Sequence, residues 1–253
     1  MVEIAEIKDV GSLGKWLKGQ SGEVSIWIAR RAALRVLPVY WCWVAESKAA
    51  QERNLTALPV LRFDLISEIA RATPTFDTKV TARAARAAVD ATGAAGAALA
   101  ALAAADAALA AVRTVRAVGT VRVAIAAHAA LAAAGAARAN PAAFWWAVRK
   151  DCLAVGGADA AGIARLLLDA LPLWHGAENP ILSEWSALNT ALGQPSQKLD
   201  WSFWIAWYDS VLEGKPLNAD MLAEIARIKD EDWDKGEAIV LSRINEIWRR
   251  YQL

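Results

Sequence analysis

The stretch that decides the fold class spans residues 201–214 and reads WSFWIAWYDSVLEG. Its bulky apolar residues recur at helical spacing on two stripes, so that a helix here is apolar around most of its circumference. Such a helix is usually buried, and we expect core packing. Trp and Tyr also dominate interface hot spots. The alternative is therefore a partner-binding surface, with the candidate residues Trp201, Trp204, Trp207, Tyr208 and Asp209.

Signals for helix ends recur along the rest of the chain. Ser21 precedes a helical stretch that Pro38 should kink or end. Asn140-Pro141 places a capping residue before a proline at the first helical position, and Gly214 is a helix stop. β-branched runs are scarce, whereas alanine is abundant. The sequence therefore predicts an all-α, multi-helix bundle of about nine or ten helices joined by short loops.

Composition divides the chain into three segments, which can also form one compact domain. Residues 1–76 are a mixed helical segment, 77–150 an Ala-rich segment, and 151–253 a Trp-rich helical module. Small side chains let helix backbones approach closely, so the central segment predicts a tightly packed helical hairpin. Residues 178–253 hold 13 acidic and 8 basic residues, a net charge of −5. This acidic end is suited to basic partners, within the chain or outside it.

Overall composition excludes several classes of function. Hydrophobic residues make up 56% and charged residues 22% of the 253, so the chain is not intrinsically disordered. The formal net charge of +1 provides no field that attracts nucleic acid. The apolar stretches are mostly Ala and Gly and are too short to span a bilayer, so no membrane helix is expected. Two separated cysteines and no leader-like run at the N-terminus predict a cytoplasmic protein.

No metal or cofactor site emerges from the motifs. Asp230, Asp232 and Asp234 have the alternation of a calcium loop, but Lys235 replaces the required glycine and Leu241 the bidentate acid. We expect an acidic loop between helices. His128 and His175 each lack a companion ligand at zinc spacing, so a structural role is expected for both.

Nucleophilic catalysis is not indicated either. The sequence has no nucleophile elbow and no phosphate-binding glycine loop. Cys42 lies among aromatic residues that should raise its thiol pKa, which leaves Cys152 as the more reactive thiol. Nothing beyond the possibility of a contact in the fold supports a Cys152–His175 pair. No catalytic residue is assigned.

A cationic edge is predicted near the N-terminus. Trp27, Arg31 and Arg35 recur every four residues and fall on one helix face. A cation–π contact between Trp27 and Arg31 is expected, and the two guanidinium groups form a possible anion-binding edge. The favoured alternative is that both arginines form salt bridges with the acid-rich C-terminal segment.

Part of the sequence resembles a group of bacterial proteins to which no activity is assigned. Segments 201–209, 212–214, 225–228 and 233–236 read WSFWIAWYD, LEG, IARI and WDKG, and 32–38 reads AALRVLP. The group has a Trp-Tyr-(Asp/Glu) helix, a Leu-x-Gly end and a Trp-(Glu/Asp)-x-Gly turn, after Ala-rich regions. The resemblance covers about a third of the chain. It implies a cytoplasmic bacterial protein and no catalytic residue.

The function we expect is that of a non-enzymatic helical adaptor that binds a protein partner or forms a homo-oligomer. Two alternatives remain open. One is a membrane-acting effector that uses the Ala-rich helices. The other is an enzyme of an unrecognised family, in which a buried acid such as Asp106 and an arginine such as Arg113 converge on a pocket.

Overall fold

Ten α-helices and one 3-10 turn make up the regular structure of the described residues, which contain no strand. The computed structural model describes residues 2–52, 54–72, 140–156, 158, 162, 171–176, 178–194 and 198–252. The predicted all-α class is confirmed. After the 3-10 turn Ile4–Glu6, the helices are α1 (Val10–Leu17), α2 (Gly22–Glu46), α3 (Lys48–Glu52), α4 (Leu58–Ala72), α5 (Pro141–Val155), α6 (Leu182–Leu192), α7 (Ser202–Glu213), α8 (Ala219–Ala226), α9 (Asp230–Trp233) and α10 (Glu237–Arg250).

Local capping signals set several of these boundaries as predicted. The Ser21 side chain accepts from Val24 N at the start of α2, and Asn140 accepts from Ala143 N at the start of α5. These bonds satisfy backbone N–H groups that have no partner within the first turn. Gly214 ends α7 in the left-handed conformation, with φ 65°, which glycine adopts without a steric penalty.

Pro38 was expected to kink or end its helix, and the structure excludes the end, because α2 continues to Glu46. A proline inside a helix has no N–H to donate to the carbonyl four residues earlier, here that of Leu34. Tyr208 on α7 replaces the missing donor: its Oη donates to the Leu34 carbonyl at 2.9 Å. Both Leu34 and Tyr208 are fully buried. The helix therefore tolerates its proline because a distant side chain satisfies the freed carbonyl.

The core is organised around α2, which packs against α3, α5 and α6. A second set of contacts joins α8 to α4 and α10, and α10 also packs against α7 and α9. An aromatic cluster joins the two halves of the chain, with Trp41 of α2 lying 6.0 Å from Trp185 and 5.3 Å from Trp201 between ring centroids. Such pairs contribute roughly 0.5–1.5 kcal/mol beyond the area they bury.

The predicted Ala-rich hairpin of residues 77–150 lies outside the described residues, apart from 140–150. His128, Asp106 and Arg113 fall in the same region. Among the helices that are described, none combines the length and the apolar character needed to cross a bilayer.

Candidate functional site

Two arginines of α2 form the centre of a buried polar cluster. Arg31 and Arg35 lie one helical turn apart on the face of α2 that is turned into the protein, and they are 7% and 0% exposed. Arg31 lies 4.8 Å from the ring centroid of Trp27, which is the expected cation–π contact. A buried guanidinium needs both a counter-charge and acceptors for its five N–H groups.

Asp151 of α5 supplies the counter-charge for both arginines. Arg31 Nε donates to Asp151 Oδ1 at 2.8 Å, and Arg35 Nη2 lies 2.7 Å from Asp151 Oδ2 as an ion pair. Burial raises the pKa of this carboxyl, but the two guanidinium groups outweigh burial, so that its pKa falls to about 2. Burial conversely lowers the pKa of Arg31, to about 10, although Asp151 opposes the shift. The carboxylate thus stays ionised in the core.

Both guanidinium groups also bind three successive backbone carbonyls in the segment 171–176, although Arg35 Nη1 is buried without a hydrogen-bond partner among the described residues. Arg31 Nη1 and Nη2 donate to the carbonyls of Leu171 and Pro172 at 2.9 and 2.7 Å. Arg35 Nε and Nη2 both donate to the carbonyl of Leu173, at 2.9 and 2.7 Å. A segment without helix or strand has no regular partners for its carbonyls. The two arginines therefore hold the backbone of 171–173 in place.

His175 lies at the end of this segment and completes the cluster. Its backbone has φ 48°, an uncommon conformation for a residue other than glycine. Its Nε2 lies 2.6 Å from Asp151 Oδ1 and 3.4 Å from Arg31 Nη2. Because an ionised carboxylate only accepts, the Nε2 atom carries the proton, which leaves the lone pair of a neutral ring on Nδ1. Asp151 thus fixes the orientation of the imidazole.

A solvent-accessible groove of about 440 Å³ lies beside this cluster, between the segment 172–176, α6 and α7. Trp174 and His175 line it from the segment, Leu182 and Trp185 from α6, and Asp209 from α7. Trp174 and Trp185 are 5% and 4% exposed, whereas Leu182 is 55% exposed. The groove therefore has fixed aromatic walls and an exposed apolar side chain.

The charged lining of the groove is acidic. Asp209 and Glu213 lie one turn apart on α7, and no lysine or arginine lines the groove in the part of the chain that the structure describes. Asp209 Oδ1 accepts from Trp185 Nε1 at 2.8 Å. Burial raises the pKa of Asp209, and the hydrogen bond from Trp185 only partly opposes that shift. Glu213 pairs at 2.7 Å with Lys215, and both of these side chains are largely exposed.

The aromatic residues of α7 that were candidates for partner binding lie in the core. Trp204, Trp207 and Tyr208 are 0% exposed and Trp201 is 7% exposed, in agreement with the expectation of core packing. Trp204, Trp207 and Tyr208 therefore present no surface to a partner in this structure, and Trp201 presents little. Asp209, the fifth candidate, lies at the groove. The polar side of α7, and not its apolar stripes, faces the accessible site.

A carboxylate of the chain itself occupies the predicted anion edge of Arg31 and Arg35. This agrees with the alternative prediction that both arginines form salt bridges within the chain. The acid involved, Asp151, is the first residue of the predicted Trp-rich segment. The spacing of the arginines identified the cluster, but neither Asp151 nor the carbonyls of 171–173 was predicted as their partner.

The acidic segment that resembled a calcium loop forms a short helix, α9, so the expected loop is wrong. Three acids in the first turn favour a helix N-terminus. Asp230 pairs with Arg62 at 2.5 Å and Asp232 with Lys235 at 2.6 Å, which leaves the carboxylates directed at cations of the chain. Within the described ranges, no three His, Cys, Asp or Glu side chains are grouped as metal ligands.

Neither of the two thiols ionises readily to the reactive thiolate. Burial raises the pKa of Cys42 to about 11, as its aromatic surroundings predicted. Cys152, expected to be the more reactive of the two, is 0% exposed, and burial together with the Asp151 charge raises its pKa well above the usual range. That expectation is wrong. His175 directs its Nε2 to Asp151 and not to Cys152.

Comparison with models of protein families, with curated proteins and with solved structures found no match to this chain. The resemblance of its C-terminal pattern to a bacterial group stays a prediction.

Proposed function

We propose that the chain is a non-enzymatic interaction protein that binds a protein partner in the groove between 172–176, α6 and α7. The observation that carries this proposal is the composition of the groove. Fixed aromatic walls, the exposed Leu182 and the partly buried Asp209 converge on one open cavity of about 440 Å³. Among the described residues that line it, five are apolar and six are polar or charged, a mixture of contact area and hydrogen-bonding groups that suits a protein segment.

The cluster of Arg31, Arg35 and Asp151 supports the proposal by making the groove rigid. It fixes the backbone of 171–173, from which Trp174 and His175 extend into the groove wall. A binding surface that is ordered before the partner arrives loses little conformational entropy on association. The buried charge cluster can order the groove in this way without having any catalytic role.

The test uses a photo-crosslinking amino acid, p-benzoylphenylalanine, incorporated in the source cell at position 182 of the full chain. The matched control carries it at position 153, because Leu153 is similarly exposed, at 60%, but lies on α5 outside the groove. We expect a discrete protein adduct from position 182 and none from position 153. Equal labelling at both positions, or no adduct at 182, would refute the proposed function.

An enzyme is a second candidate because of the contact between His175 and Asp151. A carboxylate that accepts from one imidazole nitrogen leaves the other as a base, an arrangement that hydrolases use. Hydrolysis of p-nitrophenyl acetate by the full chain, compared with a His175→Gln variant, tests this candidate. Equal rates would remove it.

The membrane-acting alternative rests on the Ala-rich segment, which lies outside the described residues. Flotation with liposomes that contain or lack anionic lipid tests this alternative directly.

A further inference from the structure

We infer that the segment bound in the groove is extended and basic, and that it places a lysine or arginine side chain against Asp209. This inference rests on the proposed function and names the chemistry of the partner. The first reason is charge. Asp209 and Glu213 are the only ionised side chains of fixed sign in the lining, among the residues that the structure describes, and both are negative.

One carboxylate oxygen of Asp209 is available to accept a hydrogen bond from a partner. Its Oδ1 accepts from Trp185 Nε1, while no hydrogen bond or ion pair within the described residues occupies Oδ2. Partial burial disfavours the ionised form of Asp209, which is why its pKa is raised. A cationic group at Oδ2 would reverse that cost. The neighbouring Glu213 can turn to the same cation, because its pair with Lys215 is exposed and contributes little.

The buried arginines do not supply this cation. Arg31 and Arg35 are not part of the groove lining, and their donors are directed at Asp151 and the carbonyls of 171–173. Among the residues that the structure describes, none pairs a cation with Asp209, so a bound segment can supply one.

The shape of the groove favours a peptide over a free amine. Leu182, Trp185, Ser186 and Asn189 all line it and follow one face of α6. Seven residues of helix rise about 10 Å, which matches roughly three residues of extended chain. Leu182 can pack against an apolar side chain beside the basic one, and the aliphatic stem of a lysine or arginine suits the apolar walls. The net charge of −5 over residues 178–253 favours encounter with a basic partner.

The experiment measures fluorescence anisotropy with labelled pentapeptides Gly-Leu-X-Leu-Gly, where X is lysine, arginine, citrulline, norleucine or glutamate. Citrulline and norleucine keep the length of the stem and remove the charge. We expect the lysine and arginine peptides to bind the full chain at least about tenfold more tightly than the other three, the size expected for a hydrogen bond to a charged group.

Variants of the full chain locate the effect. Asp209→Asn keeps an oxygen that accepts from Trp185 Nε1, so the variant should fold, but it should abolish the preference for the basic peptides. The control is Glu184→Gln, an exposed carboxylate on α6 that does not line the groove, and it should leave the preference unchanged. Leu182→Ala should weaken the binding of all five peptides to the same extent.

Five results would overturn the inference. Equal affinity for lysine and norleucine peptides, or no measurable affinity for the lysine peptide, would show that no basic side chain is recognised. N-acetyl-lysine methylamide competing as well as the peptide would indicate a small-amine site. A crosslink from position 182 to residues 82–147 of this chain would make the occupant internal. An adduct at position 182 to a partner segment without lysine or arginine would overturn the inference while leaving the proposed function in place.

Discussion

The hydroxyl of Tyr208 should stabilise the fold because α2 contains a proline. Pro38 leaves the carbonyl of Leu34 without its helical donor, and Tyr208 Oη donates to that carbonyl at 2.9 Å in a fully buried position. Burial raises the pKa of Tyr208 well above its ordinary value, so the hydroxyl remains a donor throughout the neutral pH range. Tyr208→Phe removes the donor and leaves a buried carbonyl unsatisfied, which costs about 1–3 kcal/mol.

The dependence on Pro38 is what a double-mutant cycle can measure. In a Pro38→Ala background, the new N–H can donate to Leu34 within the helix, so Tyr208→Phe should cost less than about 1 kcal/mol there. The resulting coupling of about 1–2 kcal/mol exceeds the roughly 0.5 kcal/mol within which independent sites add. Urea denaturation of the four proteins, followed by circular dichroism, gives the free energies of unfolding.

Tyr40 provides the matched control on α2. It is 0% exposed, and its hydroxyl has no hydrogen-bond partner among the described residues. Tyr40→Phe should therefore not destabilise the fold, and it should raise the free energy of unfolding by about 1–3 kcal/mol, because it removes a buried hydroxyl that has no bond. If Tyr208→Phe costs the same with and without Pro38, the hydroxyl does not compensate for the proline and the reasoning fails.

Three further predictions concern the buried charge cluster. Asp151→Asn leaves two buried guanidinium groups without a counter-charge, and we expect a loss of about 3–5 kcal/mol in urea denaturation; a loss below 1 kcal/mol would contradict this. Arg35→Lys should cost at least about 2 kcal/mol, because the lysine side chain ends one bond short of Nη2, which contacts both Asp151 and the Leu173 carbonyl, and has no second nitrogen in place of Nε. The exposed Arg249→Lys should change stability by less than about 0.5 kcal/mol. The pKa of Asp151 lies near 2 in the folded protein, below its ordinary value of 3.8, so its contribution is present above about pH 4 and lost as the pH falls toward 2. That contribution is about 2 kcal/mol in the free energy of unfolding, and a pH series of urea denaturation that shows no such decline in this range would disprove it.

The parts of the fold that depend on local chemistry were predictable. Asn140 and Gly214 act through their own turn of the helix, so the residue type alone indicates the boundary. The end of α2 was not predictable in the same way. At Pro38, where α2 continues, the freed carbonyl is satisfied by Tyr208, which is 174 residues away in the sequence. A local rule cannot include that donor.

The candidate site was only partly predictable for a related reason. The spacing of Arg31 and Arg35 indicated a pair of cations on one helix face. The sequence also contains a signal for their partner. Asp151 is a lone acid on the buried stripe of α5 that also contains Phe144, Val148 and Val155. An acid at such a position requires a buried cation. The positive φ of His175 and the groove beside it depend on tertiary packing, and the residue pattern gave no signal for them.

The buried cluster also constrains how this sequence can change over time. Asp151 of α5 follows Arg31 and Arg35 of α2 by more than a hundred residues in the sequence, and it pairs with both of them. Replacement of Asp151 leaves two buried cations without a counter-charge, whereas replacement of one arginine leaves the other paired with Asp151. In a set of related chains, an uncharged residue at position 151 should therefore occur only where both arginines have also been replaced, whereas one of the arginines can be replaced alone.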